Sequence, residues 1–155
     1  MATTIVPSDL IVTITESYSL NGVDYGNTMN KTYTSNGQVS QRVMSIAGKA
    51  AEGTTWTDIL ALTTVDGQGQ VVKTDYKYFR ITNLDTVNTL NLRVYNGADY
   101  VVVEVSPASS LLLMDAGIDA TTVSSAVTFA DIQAIAGQSS STTEAIDVEF
   151  VMVTA

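Results

Sequence analysis

A chain of 155 residues with no cysteine and no histidine can bury roughly two thirds of its unfolded surface without staples, yet it lacks the side chains for a Ser-His-Asp triad, a His-ligated zinc, a thiolate metal site or a thiol nucleophile. Its net charge of −9 is segregated: residues 1–30 hold three acids and no base, 31–93 five acids and all seven bases, 94–155 eight acids and no base. So acidic a surface disfavours nucleic acid and anionic membrane as partners. With no Lys or Arg before Lys31 and no apolar run of spanning length, neither a Sec-type signal peptide nor a transmembrane helix is expected.

Residues 1–9, closed by Pro7, read as an extended N-terminal arm with Ile5 and Val6 as its apolar contacts, followed by a single β-sandwich domain over 10–155. Leu10, Val12, Ile14, Tyr18 and Leu20 make one apolar face of a first strand. Glu16 falls on that same parity, which predicts a bulge or break there rather than a buried catalytic acid. Asn21-Gly22 and Asp24-Tyr25-Gly26 are turns. Thr28–Thr34 and Gln38–Ile46 read as two strands of a hairpin closed at Asn36-Gly37. Ala47–Thr55 reads as a surface loop; its Gly48-Lys49 is no phosphate loop, because Val43 stands where the first glycine belongs and Ala50 where the Ser or Thr belongs. Trp56, Ile59, Leu60 and Leu62 fit a short helix or an irregular strand equally well, with Trp56 assigned to the core. A turn follows at Asp66-Gly67-Gln68-Gly69.

Tyr76–Val105 carries the clearest periodicity. Phe79 and Ile81, then Leu90, Leu92 and Val94, then Val101, Val103 and Val105 alternate with polar residues, which predicts three strands with one buried face. A hairpin pairing Asn83 with Asn88 sets Ile81 by Leu90 and Phe79 by Leu92. A type I′ turn at Asn96-Gly97 sets Leu92 by Val101 and Leu90 by Val103. The opposite face then carries Tyr78, Arg93 and Tyr100 in one row, with Arg80 and Glu104 beside it. That row reads either as a solvated face with an ordinary cation–π contact or as a contact patch, and Tyr78, Arg80, Arg93 and Tyr100 join Ile5 and Val6 as interface candidates.

Beyond Val105, Leu111–Met114 suits a strand buried on both sides or leading into the core. Asp115 and Asp119 lie in a loop whose spacing matches no EF-hand, so they read as solvated carboxylates rather than calcium ligands. Thr128 with Asp131 resembles a capping box, and Phe129, Ile132 and Ile135 are spaced for a two-turn helix ending at Gly137. After a polar run at Gln138–Thr143, a last strand puts Ile146, Val148, Phe150 and Met152 on one face and Asp147 and Glu149 on the other. Asn30-Lys31-Thr32 is a glycosylation sequon in form only. The expected fold is all-β: an antiparallel β-sandwich of jelly-roll type with about eight strands and one short helix. No catalytic motif emerges, and no metal or other cofactor is expected.

The strand with ESYSLNGVDYGNT, the segment YFRITNLDTVNTLNLRV, the valine-rich strand followed by SLLL, the segment FADIQAIA and the alternating final strand together resemble small structural proteins of tailed bacteriophages. The resemblance implies a virion protein on the capsid surface that decorates or cements the capsid exterior, with the major capsid protein as partner; the missing His, Cys and catalytic motifs predict a non-enzymatic role, and the segregated charge predicts a homo-oligomer, trimer or dimer, while the chain is short for the shell protein itself. Two other readings use the same strands: a carbohydrate- or receptor-binding fibre domain in which Trp56, Tyr78 and Tyr100 stack on sugar, and a self-assembling surface filament that donates its last strand. An enzyme built on paired carboxylates ranks after both.

Overall fold

Strand alternation governs nearly all of this chain. The structure, a computed structural model, describes residues 6–49, 56–63, 71–97, 99–114 and 132–155. Ile5, most of the loop after Lys49, the turn at Asp66–Gly69, the Asp115 and Asp119 carboxylates and the Thr128–Asp131 capping pair lie outside those residues.

Two compact units are present, residues 1–38 with Ala155 and residues 39–154. In the first, β1 (Ser8–Glu16) runs antiparallel to β4 (Asn27–Asn36) as a two-stranded ribbon. Ser8 and Asp9 already belong to β1. Even positions face inward as alternation requires, with Val12 buried and Leu10 and Ile14 half-buried. The strand ends at Glu16, so Tyr18 and Leu20 do not continue the inward face and are exposed. They stand instead at a small hairpin, β2 (Ser19–Leu20) and β3 (Val23–Asp24), whose turn residues Asn21 and Gly22 take positive φ angles of 52° and 81°, the type I′ conformation that Asn-Gly favours.

The second unit contains β5 (Gln38–Ile46, its first residue at the boundary), β6 (Thr57–Thr63), β7 (Val71–Val72), β8 (Tyr76–Asn83), β9 (Leu90–Tyr95), β10 (Tyr100–Val105), β11 (Ser110–Met114), β12 (Ala134–Ser139) and β13 (Ile146–Thr154). They form a five-stranded sheet in the order β10-β9-β12-β6-β7 and a four-stranded sheet in the order β11-β8-β13-β5. All pairings described are antiparallel except β6 with β7. The sheets pack face to face on one core, to which the first gives Ile59, Leu62, Leu90, Leu92, Val94 and Ile135 and the second Ile46, Phe79, Ile81, Val148, Phe150 and Met152. Phe79 and Phe150 stack with centroids 6.0 Å apart. Burying each such side chain fully contributes about 1.5–3 kcal/mol. The strand pairs are nested: β9 with β10, β8 with β11, β6 with β12 and β5 with β13.

Several expected connections differ. Phe79 and Ile81 do share the core with Leu90 and Leu92, but β8 and β9 lie in different sheets, so the residues between them form an arch and not a hairpin. Fully buried Asn83 holds this corner. Its Nδ2 donates to the carbonyls of Asn88 (2.9 Å) and Val105 (3.2 Å), and its Oδ1 accepts from the Asp85 N–H at 3.1 Å. The β9–β10 hairpin exists, two residues out of the expected register: Leu92 opposes Val103 and Leu90 opposes Val105. Only Gly97 of its Asn-Gly pair has positive φ, and Asn96 and Asp99 close a longer loop through Asn96 N–H to Asp99 O (3.0 Å) and Asp99 N–H to Asn96 Oδ1 (2.8 Å). A two-residue slip preserves parity, so the inward set survives.

Likewise β4 and β5 do not pair across Asn36-Gly37; β4 joins β1 and β5 joins β13. Leu111–Met114 is a half-buried edge strand, not one buried on both sides. The expected helix ending at Gly137 is contradicted by β12, a central strand between β9 and β6. In the 59–62 segment the strand alternative holds. The β6–β12 register skips Ile59, since Leu60 opposes Ile135 and Asp58 opposes Ala136. This bulge lets Ile59 and Leu62, three residues apart, both be buried. The only helical turn among the described residues is the 3-10 turn Lys73–Asp75.

Candidate functional site

Alternation on β9 turns Leu90, Leu92 and Val94 inward and Asn91, Arg93 and Tyr95 outward. The registers with β10 and β12 continue these outward residues into rows across the sheet. Tyr95 lies between Tyr100 and Ala134, and Arg93 between Val102 and Ala136. Large side chains on β9 and β10 thus stand beside two alanines on β12, and the step between them is a cleft of about 370 Å³ lined by Arg93, Tyr95, Tyr100, Ala134 and Ala136. Tyr95 is oriented by its hydroxyl, which donates to the Gly97 carbonyl. Its own carbonyl accepts from Gln133 N–H at 2.8 Å.

Arg93 is the charge of this cleft. Its guanidinium carbon lies 4.9 Å from the Trp56 ring centroid and 5.7 Å from that of Tyr100, both within cation–π range. Trp56, which the sequence assigned to the core, is half-buried beside this face. Among the described residues no carboxylate pairs with Arg93, and its buried Nε has no hydrogen-bond partner. A desolvated N–H left without an acceptor costs about 1–3 kcal/mol.

The other interface candidates stand elsewhere. Tyr78 and Arg80 are on β8, in the other sheet, so the expected row of Tyr78, Arg93 and Tyr100 does not exist; the row was built on a β8–β9 hairpin that the chain does not make. Tyr78 is buried, and burial raises its hydroxyl pKa while the nearby Arg80 charge lowers it. Arg80 donates to Glu149 Oε2 at 2.9 Å, and Gln41 Nε2 donates to the other oxygen at 2.6 Å. Val6 is 81 % exposed in the first unit. Tyr95 shares the outward parity of Arg93 and was readable as a lining residue from that alone. Ala134 and Ala136 were hidden by the helical reading of their segment.

Among the described residues no three acidic side chains are grouped to hold a metal ion, and no helix is long and apolar enough to cross a membrane. Comparison with protein-family models, with curated proteins and with solved structures returns no match.

Proposed function

We propose that this chain is a non-enzymatic structural protein of a tailed-bacteriophage virion, placed on the capsid exterior, where it decorates or cements the shell through contacts with the major capsid protein and with further copies of itself. The observation that carries this reading is the β1–β4 ribbon. It is a sheet of only two strands, so each strand has an outer edge without a strand partner among the described residues; it exposes Ile11, and Val6 is exposed just before β1. Unpaired edges with apolar side chains recruit strands of other chains. The nested pairing of the second unit further supports a jelly roll, a long antiparallel hairpin wound into two sheets, which is a frequent architecture of viral capsid and lectin domains. Architecture alone does not assign function. The sequence resemblance supplies the virion, and the absence of His and Cys from the chain removes the imidazole general base and the thiol nucleophile.

The test is the composition of particles purified by density gradient from lysates of the virus that encodes the chain. Its peptides are expected in intact particles, accessible to protease from outside, at a copy number that is a multiple of the shell symmetry. Absence from purified particles, or complete protection inside them, would overturn the proposal.

A further inference from the structure

Beyond a structural role, and independently of it, we propose that the cleft on the five-stranded sheet is a binding site for a saccharide bearing a carboxylate, a uronic acid being the simplest member of the class. The argument begins with what the sheet leaves open. Arg93 is stacked against Trp56 and Tyr100 without an ion-pair partner among the described residues. A guanidinium in that state selects a planar, anionic, two-oxygen partner. The cavity of about 370 Å³ lies in the range of small-molecule sites.

Its walls narrow the choice. Tyr100 is 57 % exposed, which leaves ring surface free for a flat apolar face such as the C–H face of a pyranose. Half-buried Ala134 leaves room beside Tyr95 and Tyr100 for a ring to lie without meeting a long side chain. The neighbouring outward row brings Glu104 and Asn91 into register across β10 and β9, which supplies hydrogen-bonding side chains of the kind that hydroxyl groups need. Carboxylate, ring face and hydroxyls in one small molecule describe an acidic sugar. A nucleotide phosphate fits less well, because among the described lining residues no second cation accompanies Arg93 to meet its further charge.

Trp56 is the chain's single tryptophan and it touches Arg93, so its emission reports the site directly. The full chain is titrated with a galacturonic acid trisaccharide, with cellotriose as the neutral control and with sodium acetate as the bare carboxylate. The expected result is a saturable change of Trp56 emission with the galacturonate trisaccharide, at least roughly tenfold tighter than with either control. Arg93→Gln should weaken that binding about tenfold or more, and Tyr100→Leu should weaken it while leaving the thermal melt unchanged. Should Arg93→Gln fold poorly, Arg93→Lys, which keeps the charge but loses the two-pronged geometry, serves in its place with the same expectation. No saturable response in the millimolar range, equal affinity for cellotriose or acetate, or a Tyr100→Leu variant that binds like the parent would each overturn the assignment.

Discussion

Gly137 shows how closely the core is specified. It lies inside β12, and a Cβ built there would meet Ile59 Cδ1 at 3.0 Å, Leu90 Cδ1 at 3.1 Å and Ile46 Cδ1 at 3.3 Å, so side chains of both sheets converge over it. Gly137→Ala is expected to cost about 1–2 kcal/mol, an overpacking penalty of about 1–3 kcal/mol partly offset by a stiffer unfolded chain. Urea unfolding measures it, and a variant as stable as the parent would show that this packing yields. Asp85 gives a residue-scale prediction in pH. Its Oδ1 accepts from Asn88 N–H (2.6 Å) and Val87 N–H (2.7 Å), and these bonds hold its pKa below the usual 3.8. A depressed carboxylate pKa contributes stability above the unfolded value and loses it as pH falls through the folded value. Asp85→Ala should therefore be less stable than the parent near neutral pH, and the gap should narrow as pH falls from the ordinary 3.8 through the lowered folded value. A gap of constant size would mean that the carboxylate charge is not the cause.

At the scale of elements, strands were legible and partners were not. Parity identified the inward residues of β1, β9 and β13 because alternation is a local property of the backbone. Which strand lies beside which depends on where a connection leads. Leu84–Thr89 has turn chemistry that fits a hairpin and an arch alike, and the deciding interaction, Asn83 to the Val105 carbonyl, joins residues 22 apart. The segment around Gly137 failed for a different reason. Its apolar spacing of three matches a helix, but Ala136 is buried as the central strand's outward residue while Gly137 is small because the core is full above it. The cleft was legible by half: Arg93 and Tyr100 by parity, Ala134 and Ala136 not at all. The arch makes its own prediction. Asn83→Ala removes the amide and strands the Asn88 and Val105 carbonyls and the Asp85 N–H, for a loss of about 2–3 kcal/mol. Loss below about 0.5 kcal/mol would show that the corner is held by its backbone bonds, such as Leu84 N–H to Asp147 O at 2.9 Å.

For the whole molecule, the segregated charge admits two outcomes: bases of the middle stretch meet acids of the last stretch within one chain, or across an interface. The Arg80–Glu149 pair joins the two stretches inside the second unit. Being partly exposed, with side chains 37 % and 23 % accessible, it is worth less than about 1 kcal/mol in stability, yet it occupies the arginine. Arg80 is thus a weak candidate for docking to a capsid, although its position on an outer face suggested otherwise. The ribbon is the stronger one. Ile11 is 65 % exposed and pairs with Thr32 on β4, so a carboxylate there disturbs no buried group but opposes a second strand or an acidic neighbour at that face. Ile11→Glu is expected to weaken cosedimentation with shells lacking the protein about tenfold or more with the unfolding midpoint unchanged. Arg80→Ser should cosediment like the parent, and added salt should have little effect because contact through backbone edges and apolar side chains is not screened. If instead Arg80→Ser and high salt both release the protein while Ile11→Glu stays bound, charge and not the ribbon makes the contact, and the interface lies on the four-stranded sheet.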